Sequence, residues 1–223
     1  MTLPSINEYF FAYRVEPELM DDLLEQGWRH FGVYFYRYSQ DNYGGERRNV
    51  RPVRVKLEDF RRSKTQRRVW RENAGLTCVI RPTEIDDAKI ALFEQHKLRF
   101  THNIPDSLYD FLSEAPAATP LDCRECCIYE GDKLLAVSFF DVGAASISAI
   151  YAMFAPEEAS RSLGLYTMLR EIEFAQNAGK THYYHGYCHE TPSFYDYKKR
   201  FSGLQYFAWE AEEWRNWKDG GSF

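Results

Sequence analysis

An α+β fold is predicted from three observations on the sequence. Residues 123–156 hold three successive strand-like runs, "CRECCIYEG", "KLLAVSFFDVG" and "SISAIYAMFAP", joined by Gly or Asp turns, with the length and spacing of an antiparallel meander. Helical patterns opened by capping residues stand before and after it. Of 223 residues, 44% are hydrophobic and 17% aromatic, ample for one substantial core or two small lobes sharing an interface, and too rich for disorder.

In chain order, Pro17 to Gln26 reads as a short amphipathic helix: Leu19, Leu23 and Leu24 fall on one face, Pro17 suits the first turn and Gly27 the residue just past the end. "WRHFGVYFYRYS" and "NVRPVRVKLEDF" alternate in character around the turn-like "QDNYGGERR", which predicts a hairpin or two neighbouring strands. Ser63 opens the next helix, Thr83 another through "EIDDAKIALFEQHKLRF", and "PDSLYDFLSEA" reads as a further short helix. The Ala- and Pro-rich "APAATP" at 115–120 is the best linker candidate. After the meander, "SRSLGLYTMLREIEFAQNAGK" is a long helix ending at Gly179, "THYYHGYC" returns to strand, and "EAEEWRNWKD" suggests a short terminal helix. The expected organisation is an N-terminal lobe over residues 1–75, carrying the basic helix, and a second domain over 76–223.

Several function classes are set aside at once. No window approaches the roughly 18 apolar residues of a membrane span, and the N-terminus lacks the basic start and apolar run of a signal peptide, so the default compartment is the cytoplasm and no membrane partner is expected. The five cysteines are an odd number and Cys126 adjoins Cys127, which suits reduced thiols rather than a disulfide framework. One C-x-x-C-C at Cys123, Cys126 and Cys127 without a second ligand pair is a weak metal signal. His182 and His185 point to opposite faces of a strand, which argues against a site with His189; no metal is expected.

The formal net charge is -5, yet between Arg47 and Arg71 stand eleven Lys or Arg against only Glu58 and Asp59. Within this stretch, "FRRSKTQRRVWREN", Ser63 as N-cap places Gln66 at N3, the reciprocal capping-box spacing. From that origin Lys64, Arg67, Arg68 and Arg71 line one face near the positive end of the helix dipole, where phosphate is the natural partner. The alternative is a solvated face salt-bridged to acidic surface elsewhere, with Val69 and Trp70 as the buried side.

"LLEQGWRHFGVYFYR" followed by "VRVKLEDFRRSKTQRRVWREN" resembles the N-terminal signature of the arginyl-tRNA protein transferases and their bacterial leucyl-transferring relatives. "LLAVSFFDV", "SISAIYAMFAP", "SLGLYTMLREIEFA" and "HYYHGYCHETPSFYDYKKRF" follow in that family's order, so the resemblance covers nearly the whole chain. It implies a mixed sheet flanked by helices, related to the GCN5-type N-acyltransferases, for residues 76–223. The implied reaction is attack by a protein's N-terminal α-amine on the ester of an aminoacyl-tRNA, which serves as co-substrate with no further cofactor. The acceptor would be a protein or peptide beginning with Asp or Glu, marked for degradation by the added leucyl or arginyl group. Two alternatives stay open: a diverged transferase acting on a small amine or peptide, and a tRNA-binding relative without catalysis.

For the site, the resemblance implies Asp141 as the group that receives or orients the amine, and Tyr151, Tyr184, Tyr187 and Lys198 as cleft residues at the "SxxY", "YxGY" and "YK" positions. Lys64, Gln66, Arg67, Arg68 and Arg71 would hold the tRNA, with Ser162 and Gly164 at a helix start offering amides to an anion. Arg51 and Arg54 are candidates for reading the acceptor's carboxylate by bidentate guanidinium. The chain departs from the family in three places. The N-terminal cysteines are missing, His185 stands where an apolar residue is usual, and Tyr195 replaces a usual methionine, so substrate choice is expected to differ through His185 and its neighbours.

Overall fold

Two sheets organise residues 5–101 and 103–217, the part of the chain that the computed structural model describes. The small sheet holds β1 (Asn7–Phe11), β2 (Arg29–Phe31) and β3 (Tyr34–Tyr38), all antiparallel in the order β1-β3-β2. Between β1 and β2 runs α1 (Pro17–Glu25), begun by Pro17 and followed by Gly27 at φ 83°. Its buried face is Met20, Leu23 and Leu24, which pack with Val15, Phe35, Leu121 and Tyr184; Leu19, expected on that face, is 51% exposed.

The expected hairpin lies elsewhere. β2 and β3 pair with each other, while "QDNY" is itself a strand, β4 (Gln40–Tyr43), paired with the start of β5 (Glu46–Lys56). Gly44 and Gly45, at φ 61° and 82°, supply the two left-handed positions of a two-residue turn, which fixes that register. β5 then enters the large sheet between two later strands, so residues 46–56 belong to the sheet of the second half of the chain.

The large sheet is completed by β6 (Thr77–Pro82), β7 (Cys123–Glu130), β8 (Lys133–Val142), β9 (Ser146–Phe154), β10 (His182–His189), β11 (Leu204–Ala208) and β12 (Glu213–Asn216). Its order is β12-β11-β5-β10-β9-β8-β7-β6, with β4 beside β5; every neighbouring pair is antiparallel except β9 and β10. The predicted meander is β7-β8-β9. The terminal helix expected over residues 210–219 is instead β12 in its described part, and residues 218–219 lie outside the described residues.

Three helices cover this sheet. α2 (Lys64–Glu72) has the predicted capping box: Ser63 Oγ accepts from the Gln66 amide at 3.2 Å, and Gln66 Oε1 from the Ser63 amide at 2.8 Å. α3 (Asp87–Lys97) is capped by Asp86, not Thr83, because the Thr83 amide is still bonded to the Cys123 carbonyl beside β6. α4 (Leu163–Asn177) follows β9. α2 and α4 bury Val55, Phe140, Ile147, Leu169 and Tyr183 on one side, and α3 buries Val137, Phe139 and Met153 on the other. The alternation of Phe139 and Phe140 between the two cores is the period-2 geometry of a strand covered on both faces. The helix expected over "PDSLYDFLSEA" is reduced to a 3-10 turn, Leu108–Asp110, capped by Ser107.

β9 and β10 pair in parallel only over Ser146–Ser148 and His182–Tyr184. Beyond that point β10 pairs with β5 alone and β9 with β8 alone, each past a register shift, so the two strands diverge and leave a fork. Gly186 at φ 105° takes up the turn that the shift in β10 requires.

Candidate active site at the strand fork

Where β9 and β10 part, backbone carbonyls that would have faced a partner strand need donors. Arg29, from β2 of the small sheet, supplies them: Nη1 donates to the Tyr184 carbonyl at 3.3 Å and Nη2 to the Ala149 carbonyl, one from each strand. Lys198, on the 3-10 turn Phe194–Lys199, donates from Nζ to the Tyr187 carbonyl at 3.0 Å. A methyl group at Gly186 would stand 2.8 Å from that Nζ, so glycine is what admits the lysine. Burial first, and the charge of Arg29 next, push the Lys198 ammonium down to about 8. Among the described residues neither cation forms a salt bridge, and only carbonyls accept from them.

Aromatic rings wall the fork. Tyr187 donates its hydroxyl to the Gly27 carbonyl at 2.6 Å, and its ring meets Tyr38, Tyr36 and Trp209 at 4.9, 6.3 and 6.3 Å. Burial pushes the Tyr187 hydroxyl up, and that of Tyr36 up to about 12, against the opposing pull of Arg29, so these phenols are neutral donors.

Asp141 is fully buried on β8, with Oδ2 at 2.6 Å from Nε2 of His30. The other ring nitrogen, Nδ1, lies 2.8 Å from the Gly32 carbonyl, which only accepts, so Nδ1 carries a hydrogen and one further proton is shared between His30 Nε2 and Asp141. This pair ties β8 to the small sheet and leaves Asp141 out of reach of a substrate amine in this conformation. Tyr151 is stacked on Phe111 at 4.0 Å and 10°, and its hydroxyl has no hydrogen-bond partner among the described residues.

The two arginines expected to read a carboxylate already hold carboxylates of this chain. Arg51 donates to Glu190 and Glu210, each at 2.7 Å. Arg54 binds Glu25, Gln205 at 2.8 Å and the Tyr184 hydroxyl at 2.8 Å, and lies over the Trp214 ring at 4.2 Å. Arg51 and Arg54 are 5% and 6% exposed, so neither is turned to solvent. His185 is stacked on Tyr183 and meets the tilted Phe201 ring at 5.4 Å, and burial pushes its imidazole down to about 3. As a neutral ring it donates from Nε2 to the Lys198 carbonyl at 3.0 Å, holding the turn that carries Lys198.

The basic face is a separate surface. Lys64, Arg67, Arg68 and Arg71 are exposed on α2, with Arg68 only 3.5 Å from Glu72. Gln66, expected beside them, turns inward and donates to the Arg200 carbonyl at 3.3 Å, because its capping role points it along the chain rather than outward. Asn73, which closes α2, donates to the Arg161 carbonyl at 3.0 Å, the residue before Ser162, so the end of α2 and the start of α4 adjoin. Ser162 is the N-cap of α4 at φ 56° and makes no side-chain cap bond; Gly164 faces the Phe154 ring.

Sequence reasoning missed Arg29, His30, Tyr36 and Tyr38. "WRH" opens a strand and reads as an ordinary charge beside an apolar run; only the pairing of three distant strands makes Arg29 a buried clasp. Among the described residues no group of three or more His, Cys, Asp or Glu side chains is placed to hold a metal ion.

A family pattern described as the C terminus of arginine-tRNA-protein transferase matches residues 88–208, and its N-terminal counterpart matches residues 4–68. The chain is similar to an aspartate/glutamate leucyltransferase of Xanthomonas oryzae pv. oryzae, 34% identical over 179 residues that cover 75% of this chain and 68% of that protein. It is 25% identical to a protein of the same name from Acinetobacter baumannii over 197 residues, 86% of this chain and 71% of the other. Among solved structures, FemX shares the fold at a TM-score of 0.50 and 11% identity, over 82% of this chain and 66% of that one. L-PGS from Bacillus licheniformis aligns at a TM-score of 0.42 and 14% identity over 77% of this chain, which spans 50% of that chain.

Proposed function

The chain belongs to the arginine-tRNA-protein transferase family, and from that premise we propose that it moves an aminoacyl group from tRNA to the N-terminal α-amine of an acceptor beginning with Asp or Glu. Leucyl is the favoured group, because the relatives that share a quarter to a third of its aligned residues are named leucyltransferases. The observation that carries the acidic acceptor is the fork, with two cations, Arg29 and Lys198, and no carboxylate among the described residues to neutralise them. Uncompensated buried charge is costly, and an acceptor's carboxylate entering the fork relieves it. Arg51 and Arg54, closed by Glu190, Glu210 and Glu25, leave that role to Arg29 and Lys198.

The acyl ester of tRNA is already activated, so the protein's task is orientation and stabilisation of the charge that develops on the carbonyl oxygen. The α-amine forms the C–N bond, the C–O bond to the terminal ribose breaks, and the two protons lost by the α-ammonium go to solvent and to the leaving ribose oxygen. The exposed cations of α2 bind the phosphates of the acceptor stem through counterion release. Incubation with radiolabelled aminoacyl-tRNAs and peptides beginning with Asp, Glu, Lys or Arg is expected to label the Asp and Glu peptides; no labelled peptide of any kind defeats the reading.

A further inference from the structure

The face of the small sheet that carries Arg29, Tyr36 and Tyr38 continues outward from the fork as an exposed aromatic surface. Cross-strand partners share a face, and the register pairs Tyr9 with Tyr36, Phe11 with Tyr34, and Arg29 with Tyr36. The rings on that face form a continuous row. Centroids stand 5.6 Å apart for Tyr9 and Tyr34, 5.4 Å for Phe11 and Tyr34, 5.8 Å for Tyr34 and Tyr36, 5.7 Å for Tyr36 and Tyr38, and 4.9 Å for Tyr38 and Tyr187. Tyr34, Tyr36 and Tyr38 lie nearly parallel, with interplanar angles of 29° and 21°.

Exposure falls along the row, from Tyr9 at 64%, Phe11 at 61% and Tyr34 at 39% to the partly buried Tyr36 and Tyr38, and the row ends at the fork beside Arg29. A contiguous exposed aromatic patch on a folded protein marks a surface that something covers. In a chain of net charge -5, the positions that share this face in β1, β2 and β3 include no Asp or Glu; Glu8 is on the other side, paired with Arg37 at 2.6 Å. Asp41 faces Tyr38 at the inner end, so a strand of phosphates is least opposed along the outer rings Tyr9, Phe11 and Tyr34, where its bases find flat surfaces.

We infer that this aromatic row stacks the unpaired 3′-terminal bases of the donor RNA and leads its acylated ribose to the fork. The inference rests on the proposed use of aminoacyl-tRNA, since an ester on the last ribose reaches Arg29 and Lys198 only if the single-stranded end passes along a surface that adjoins them. Stacking on aromatic side chains is tolerant of base identity and strong enough per base to guide such an end.

The test is a pair of binding titrations on the full chain, one with uncharged tRNA and one with the same tRNA lacking its unpaired 3′ nucleotides. Wild type is expected to bind the complete tRNA more tightly. The Phe11→Ala, Tyr34→Ala double variant is expected to lose about tenfold in affinity for complete tRNA, to bind the shortened tRNA as wild type does, and to keep its KM for an acidic peptide; Tyr34→Phe is expected to retain the wild-type preference. Equal loss for both RNAs, no loss for either, or a rise in peptide KM without loss of RNA affinity overturns the aromatic row as an RNA platform while leaving the transferase reading in place. If wild type binds neither RNA, the transferase reading falls and the platform with it.

Discussion

Lys198 is the residue on which charge, burial and position meet. Its ammonium, pushed down to about 8 by burial and by Arg29, is cationic below that pH and loses its charge above it. An acidic acceptor held by this charge together with that of Arg29 is expected to show a preference that weakens with alkalinity: the ratio of Kd for an Asn-initial to an Asp-initial peptide should fall as pH rises from 7 to 9 towards the residual preference set by Arg29, and Lys198→Met should show that lower ratio already at pH 7. A ratio independent of pH in wild type would count against a charged Lys198 in recognition. His185 acts one step removed, through its bond to the Lys198 carbonyl. His185→Leu removes that bond at about 1 kcal/mol, so thermal unfolding should shift only a few degrees while KM for the acceptor rises severalfold and kcat holds; unchanged KM would reduce His185 to packing.

α2 shows how much a single element can carry locally. Its start, its capping box and its exposed cations were all legible in "FRRSKTQRRVWREN", because capping and i, i+4 spacing depend only on neighbours in sequence. What the pattern misjudged was Gln66, whose side chain is buried and donates to the distant Arg200 carbonyl, a contact no local spacing announces. Charge reversal at Arg67 and Arg68 is expected to weaken tRNA binding and shrink its salt dependence by roughly one to two units of slope, equally for complete and shortened tRNA, with the unfolding temperature unchanged. An unaltered salt slope would make the face a solvated one. β5 is the opposite case: its alternating positions read as one strand of a hairpin or neighbouring pair with "WRHFGVYFYRYS", but Glu25, Glu190, Glu210 and Gln205, all distant in sequence, neutralise or bond Arg51 and Arg54 and let the strand sit in the middle of the large sheet.

At the scale of the whole molecule, the core that joins α4 to the sheet contains a buried carboxyl whose titration bears on stability. Glu171 accepts from the Tyr183 hydroxyl at 2.6 Å, and burial raises its carboxyl to about 7. A folded pKa above the unfolded one means that the folded state holds the proton longer, so the contribution of Glu171 to stability is full below the unfolded value near 4.5 and is lost as pH rises to about 7, roughly 3 kcal/mol in all. The Tm of wild type relative to that of Glu171→Gln is expected to fall between pH 5 and 7; a difference that does not change with pH would leave Glu171 without a titration in this range. The sequence by itself determined the α+β class, the β7-β8-β9 meander, α2, α4 and the family, because period, caps and motif order are local signals that survive without coordinates. Only the tertiary structure decided the fork itself and brought Arg29 and Tyr38 to it, beside Lys198 and Tyr187, which the motifs had already named. Arg29, Lys198 and Tyr38 come from three separate segments, and Asp141 is sealed by His30 rather than open to a substrate. Whether a side chain of given chemistry faces solvent, a carbonyl or a carboxylate is set by which strands pair, and strand pairing between residues far apart is a long-range choice that no local pattern encodes.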